Sequence, residues 1–412
     1  MIKLDLKTNI LIVLLYLLIL NVLFLYCFNF EDNAKRDEFY QAINVTKVHK
    51  SYTSQSSNKG PRAEIKYCYD STSESELKAI IDTLINDLQI KTCLSFKKVT
   101  DKKKANIIIG YISNTFTSKN EQGKAKQIGI PEVCRKQVGC IKGLIFYALG
   151  MVPPHQRPDR DFYIDVIEDN VDTKTCKADF WLDKVIPNKD ILVNGDYDFG
   201  SIGHIKQHFC GKDKKETLSA KIKQYDEMMG RDDGLSFNDL KLIKAYYCTD
   251  NECEKKNDKE CQHYGYKDPN NCSKCICPNG FDGDFCEKMK TPDEQCNQNN
   301  RFASNNVANM KLNGKVNCYY NFTTFEHYVI EFNIKEIRTS SNNLICTENS
   351  GFELKHQEDI GTTGLCLCKN YKNIKILSHS NYAYLIINGK DDFYLDMDFK
   401  GVFIQKNELT KV

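Results

Sequence analysis

The chain has 412 residues, 41% hydrophobic and 27% charged, which are ordinary globular proportions. That length is too great for a single core and predicts two or three domains. A formal net charge of +2 gives no electrostatic case for a nucleic-acid partner, and Lys97-Lys98 with Lys102-Lys103-Lys104 reads as a solvated strand edge or loop.

The amino-terminal segment comes first. Ile10 to Phe28 is almost wholly apolar, with Asn21 as its clear polar interruption and Lys3 and Lys7 ahead of it. Residues 1–28 read as a signal peptide or, because the run is nearly long enough to cross a bilayer, as a signal anchor. Either way the remainder is expected outside the cytosol, secreted and extracellular, with membrane contact only if the segment stays uncleaved. Residues 29–60 are polar and rich in Ser, Asn and Lys, as in a linker or short pro-segment.

From Pro61 structured patterns begin. Glu64 to Tyr69 alternates as a strand does. Ser73 and Glu76 have the spacing of a capping box, and Leu77, Ile80, Ile81, Leu84, Ile85 and Leu88 follow at helical spacing. Thr92 to Lys97 and Ala105 to Ile112 read as strands. Ile141 to Leu149 is an apolar helix stopped by Gly150. Ser236 to Tyr247 reads as a capped amphipathic helix. Helices and strands without strict alternation predict an α+β domain over residues 61–248. Beyond residue 296 short strands dominate: Val316 to Tyr320, Tyr328 to Asn333, Ile374 to Ser378, Tyr382 to Ile387 and Phe393 to Met397. Turn residues separate them, as in an all-β sandwich.

Cysteine usage points to an oxidising compartment. There are 19 cysteines, seven of them from Cys248 to Cys286, a density that reads as a disulfide framework, with zinc binding as the rival. Cys253, Cys261, Cys272, Cys275, Cys277 and Cys286 end in Cys-x-Cys-x8-Cys around Pro278-Asn279-Gly280-Phe281. This resembles an EGF-like module over residues 249–290, and the resemblance implies pairs Cys253–Cys272, Cys261–Cys275 and Cys277–Cys286. About 40 residues bury too little apolar surface to fold without such staples. Cys296 with Cys318, and Cys346 with Cys366 or Cys368, sit as two local pairs in a strand-rich segment that resembles a CUB domain over residues 296–405.

The stretch Gly143 to Asp165 (GLIFYALGMVPPHQRPDRDFYID) bears on chemistry. Ala148-Leu149-Gly150 and Arg157-Pro158-Asp159-Arg160-Asp161 resemble the astacin family of metallopeptidases. That family reads His-Glu-x-x-His-Ala-x-Gly-x-x-His-Glu, two further residues, then Arg-x-Asp-Arg-Asp. Thr92 to Phe96, Tyr197 to Phe209 (YDFGSIGHIKQHF) and Ser236 to Cys248 also resemble family segments. The order with EGF-like and CUB modules is that of nematode members, so the fold expected is multidomain: an α+β astacin/metzincin-like protease domain, a small disulfide-rich module and an all-β sandwich. The resemblance also implies a Cys93–Cys248 bridge. The pairing of Cys68, Cys134, Cys140, Cys176, Cys210 and of one of Cys366 and Cys368 stays unassigned on this reading.

In the family two histidines at i and i+4 and a third beyond a glycine hold zinc, while a glutamate polarises the bound water. The matching ligand positions here are Gly143, Tyr147 and Pro153, and the glutamate position is Leu144. The glutamate after the third histidine is Pro154. The Met-turn methionine and the following tyrosine are Gly203 and Ile205. A catalytic zinc needs about three protein ligands. Glycine and proline side chains offer none, so the expectation is no catalytic residue, no metal ligand and no cofactor. His155, His204 and His208 are the nearby imidazoles, and the alternative is an active metalloendopeptidase with an atypical metal site. Expected partners are extracellular proteins or peptides. Asn44-Val-Thr46, Asn271-Cys-Ser273 and Asn321-Phe-Thr323 are glycosylation sequons, Asn271 lying within tight disulfide loops.

Overall fold

The computed structural model describes residues 64–111, 126–130, 138–149, 151–172, 184, 195–209, 211–231, 234–248, 259–296, 298–340, 345–348, 351–389 and 392–404. The expected signal segment, the linker, Asn44, Cys134, Cys176, Cys210 and Cys253 lie outside these residues. So do the side chains of Cys140 and Tyr147.

The first body is built on β1 (Glu64–Tyr69), α1 (Ser75–Lys91), β2 (Ser95–Lys98), β3 (Ile107–Tyr111), β4 (Lys126–Ile130) and α2 (Val138–Ala148). The strands form a four-stranded sheet in the order β2-β1-β3-β4, every neighbouring pair parallel. α1 buries Leu77, Ile81, Leu84, Ile85 and Leu88 on one face, the stripe its spacing predicts, with Ile80 at the margin. The expected capping box does not start this helix: Glu74 holds the cap position. Ser73 instead donates its Oγ to Ile109 O at 2.8 Å, tying the turn to β3. A serine hydroxyl serves a helix end or a strand carbonyl equally well.

After α2 the chain runs mostly through turns, with one short hairpin of β5 (Ile164–Val166) and β6 (Leu218–Ala220). It ends in α3 (Phe237–Tyr247), and here the expected cap is present. Ser236 Oγ accepts from Asp239 N, and Asp239 Oδ2 accepts from Ser236 N. Cys93 is bonded to Cys248, linking the end of α1 to the end of α3.

The cysteine-rich segment makes two small hairpins, β7 (Tyr266–Asp268) with β8 (Asn271–Ile276) and β9 (Phe281–Asp282) with β10 (Lys288–Met289). Cys261 is bonded to Cys275 and Cys277 to Cys286. Cys272 is also in a disulfide.

The carboxy-terminal body is a β-sandwich. One sheet runs β11 (Asn300–Phe302), β13 (Cys318–Thr323), β18 (Tyr382–Ile387), β15 (Phe352–Lys355), β16 (Leu365–Leu367). The other runs β12 (Ala308–Gly314), β19 (Phe393–Phe403), β14 (Tyr328–Thr339), β17 (Tyr371–Leu377). Phe322 of the first sheet meets Phe332 at 5.2 Å and Phe399 at 4.9 Å of the second, so the aromatic core lies between the layers. Cys296 is bonded to Cys318, and Cys346 to Cys368. Cys366, expected as a bridge candidate, is instead a buried free thiol, as is Cys68. The reason is register: Cys366 sits mid-strand opposite Glu353, whereas Cys368 lies just past the end of β16, beside Cys346.

These bodies pack into one assembly. The β7–β8 turn covers the last turn of α1, with Asn270 Nδ2 donating to Gln89 O (3.2 Å) and Ile90 O (2.7 Å), and Tyr266 O–H to Lys91 O (3.1 Å). Those carbonyls have no partner within the helix. The loop from His356 to Gly364, buried except for Glu358, wedges against the first body. Tyr225 O–H donates to His356 Nε2 (2.8 Å), Asn238 Nδ2 to Thr362 Oγ1 (2.8 Å), and Asp359 N to Asp196 Oδ2 (2.7 Å). At Gly200 an added Cβ would fall 2.6 Å from Thr363 Oγ1, so no larger residue fits there.

Candidate functional site

Three segments converge where the family would hold its metal: α2, the turn at 153–157 and the turn at 201–205. α2 is apolar around most of its circumference, with Ile141, Leu144, Ile145 and Phe146 all buried. Leu144, at the glutamate position, is thus a core residue. Gly143 faces the second turn: a Cβ there would lie 3.4 Å from Ile202 O. At Gly203 a Cβ would come within 3.0 Å of Phe146 Cε1, so the phenyl ring occupies the space where a methionine would project. Pro153 precedes a single helical turn over Pro154–Gln156, and both prolines are buried.

The histidines are placed by hydrogen bonds. His204 is buried, and its Nδ1 lies 2.9 Å from Ile205 O. A carbonyl only accepts, so Nδ1 carries the proton. Nε2 then accepts from Tyr197 O–H at 2.8 Å. Both ring nitrogens are committed, and burial lowers the His204 pKa to about 4. His155 is also fully buried, its ring 5.6 Å from that of His204. Ile205 N–H reaches its Nδ1 at 3.5 Å, and its Nε2 has no hydrogen-bond partner among the described residues. Burial, then the neighbouring His204 and Arg160, hold His155 well below the ordinary histidine pKa. His208 is exposed and takes no part.

The Arg-Pro-Asp-Arg-Asp motif frames the site. Arg157 makes paired bonds to Asp159 (2.8 and 2.7 Å) and reaches Gly195 O (3.0 Å) and Asp196 O (3.2 Å). Arg160 Nη1 donates to His155 O at 2.8 Å. From the opposite side Asp239 accepts from Ser201 Oγ (2.6 Å) and Ile202 N (2.9 Å), so the cap of α3 also pins the 201–205 turn. Asp198 accepts from Gly200 N (2.9 Å) and Ser236 Oγ (2.7 Å). Burial and the nearby Asp239 carboxylate raise its pKa. Sequence reasoning assigns no role to Tyr197, Asp198 or Asp239. The capping-box spacing at Ser236 is the available signal for Asp239.

Among the described residues the donor set does not fit zinc. Gly143 and Pro153 carry no ligating atom, the space at Gly203 holds Phe146, and His204 has spent both nitrogens. Among the described residues no group of three or more His, Cys, Asp or Glu side chains converges as a metal site. A cavity of about 600 Å³ adjoins the turn, walled by Phe146, Met151, Pro154 and Leu242 and reaching Tyr266 and Lys267 of the cysteine-rich segment. That volume is within the range of ligand-binding clefts.

Comparison with known proteins gives the context. Residues 52–248 match the profile of the astacin peptidase family. The zinc metalloproteinase dpy-31 of Haemonchus contortus is 33% identical over 235 residues, covering 56% of this chain and 41% of that protein. The dpy-31 of Caenorhabditis elegans is 32% identical over 231 residues, covering 55% and 38%. This chain therefore spans less than half the length of those relatives. Among solved structures, the medaka (Oryzias latipes) hatching enzyme HCE-1 aligns with a TM-score of 0.38 at 20% identity, over 46% of this chain and 91% of that one. Through residues 52–248 the chain belongs to the astacin family of peptidases.

Proposed function

We propose that this chain is a secreted astacin homologue that binds peptides or proteins and does not cut them. The observation that carries this reading is the packing of the former metal centre. Glycine and proline stand at ligand positions, Phe146 fills the place beside Gly203, and His204 is locked between Tyr197 and Ile205. Zinc catalysis in such a frame requires about three protein ligands and an open coordination position. The adjoining cavity, set between the first body and the cysteine-rich segment, supplies room for a peptide side chain or terminus. The disulfides support an oxidising, extracellular setting. Within this proposal residues 249–290 are an EGF-like module and residues 296–405 a CUB-like sandwich, both suited to contacts with extracellular proteins.

The test is elemental analysis of the secreted full chain after equilibration with zinc and desalting, paired with a digest of denatured protein. The expected result is metal far below one atom per chain and no chelator-sensitive cleavage. One tightly held zinc per chain, with cleavage that a chelator abolishes, would overturn the reading in favour of an active endopeptidase with an atypical site.

A further inference from the structure

One end of the five-stranded sheet carries features that the former metal centre does not explain. Register across β11, β13 and β18 places Phe302, Thr323 and Tyr382 in one row and Asn300, Asn321 and Tyr384 in the next. These side chains point away from the sandwich interior, since Phe322 between them is fully buried in the core. Tyr384 is covered by Phe281 of the cysteine-rich segment, their rings 4.9 Å apart. Phe302 and Phe325 are not covered: they are 54% and 47% exposed and meet edge-on at 4.9 Å. Across these three strands neither row carries a charged residue, and the second continues to Lys355 of β15, which is buried.

Asn321 stands inside a strand paired on both sides, a position where asparagine is disfavoured. Its Oδ1 is buried with no hydrogen-bond partner among the described residues, whereas Nδ2 donates to the exposed Asn300 Oδ1 at 3.3 Å. The amide is therefore held with its nitrogen outward. Asn321-Phe322-Thr323 is an acceptor sequon, and Thr323 is exposed beside it.

We propose that Asn321 Nδ2 carries an N-linked glycan whose first sugar covers the Phe302–Phe325 ledge. The bond formed joins Nδ2 to the anomeric carbon of an N-acetylhexosamine. The bond broken is the one from that carbon to the pyrophosphate of a lipid-linked oligosaccharide donor; the amide loses one proton and the lipid pyrophosphate leaves. Phe302 lies two residues along the parallel neighbour from Asn300, opposite Asn321, so strand spacing and rise put it about 8 Å away, within reach of a single pyranose. Its face of C–H groups stacks on an aromatic ring, and its hydroxyls point to water, which matches an uncharged surface of Phe, Thr and Asn.

The experiment uses the full chain secreted from a eukaryotic host. Site-specific peptide mass spectrometry is expected to find glycan on the Asn321 peptide. Asn321→Gln and Thr323→Ala abolish it, and Thr323→Ser retains it. Loss of the glycan lowers Tm by about 2–4 °C. Phe302→Ala lowers Tm in the glycosylated chain and by less than half as much in the Asn321→Gln background. If the unglycosylated variants are not secreted, amidase deglycosylation of the folded wild type and of Phe302→Ala, which removes the whole glycan and leaves Asp at position 321, replaces the Asn321→Gln background. A bare Asn321 in the secreted chain overturns the proposal, and so does a Phe302→Ala shift of equal size in both backgrounds.

Discussion

His204 shows at the residue scale how a buried imidazole can have both ring nitrogens engaged by the protein's own groups. Its proton is fixed on Nδ1 by Ile205 O, and its free lone pair is taken by Tyr197. This arrangement needs the neutral ring, and burial lowers the folded pKa to about 4 against an ordinary value near 6.5. The unfolded chain therefore takes up a proton in a window where the folded chain refuses it. Stability is fully present above that window and is lost as pH falls through it, at about 1.4 kcal/mol per pH unit. The expected outcome is that the stability advantage of wild type over His204→Gln, from urea unfolding, narrows between pH 6.5 and pH 4.5. A constant gap would contradict the assignment. Gly143, Leu144, Pro153 and Gly203 stand out in the sequence because the motif around them resembles the family's. The partners of His204 were not: Tyr197 is an ordinary aromatic in sequence, and its bond to His204 exists only once the turn has closed.

At the scale of elements, α3 joins secondary structure to the site. Its Ser236–Asp239 cap satisfies the helix amino terminus, and the Asp239 carboxylate also holds Ser201 and Ile202. Removing a cap costs about 0.5–2 kcal/mol. Ser236→Ala is expected at the upper end of that range, because Asp198 also loses the Ser236 hydroxyl. Chemical denaturation measures the loss, and a change within error would show that the cap does not hold the turn. The helices were legible where periodicity and burial agree, as in α1 and α3. Strands were missed where burial comes from another body. Phe352–Lys355 (FELK) alternates like a half-exposed strand, yet all four residues are buried. Its outer face is covered by the cysteine-rich segment and by the loop that meets the first body. Ala308–Gly314 is hard to read in the sequence for the opposite reason, since only Met310 and Leu312 turn inward between Asn and Lys.

At the scale of the whole molecule, buried charge joins the parts. Glu353 and Lys355 form a 2.9 Å ion pair that is almost completely shielded from water. Gly364 N (2.9 Å) and Asn279 Nδ2 (2.6 Å) complete the Glu353 carboxylate, while Lys355 Nζ also donates to Thr362 O (2.9 Å). Asn279 belongs to the cysteine-rich segment and Thr362 to the loop that docks on the first body. Leaving one member of such a pair unpartnered costs about 3–5 kcal/mol. Glu353→Ala is expected to lose that much in equilibrium unfolding, with the transitions of the sandwich and the first body shifting together. Independent transitions, with only one moved, would show that the bodies are not coupled through this pair.

The turn that covers α1 has a consequence for synthesis on the ribosome. Chains emerge amino terminus first and domains generally fold as they appear. The last turn of α1 receives its external partners from Tyr266 and Asn270, and Cys93 receives its partner from Cys248. The first body therefore waits, with a helix end open to solvent and a thiol unpaired, until well over a hundred further residues have been made. Its maturation is tied to translation of the segment that follows it, and in a nascent chain halted before residue 266 the Gln89, Ile90 and Lys91 carbonyls lack those partners.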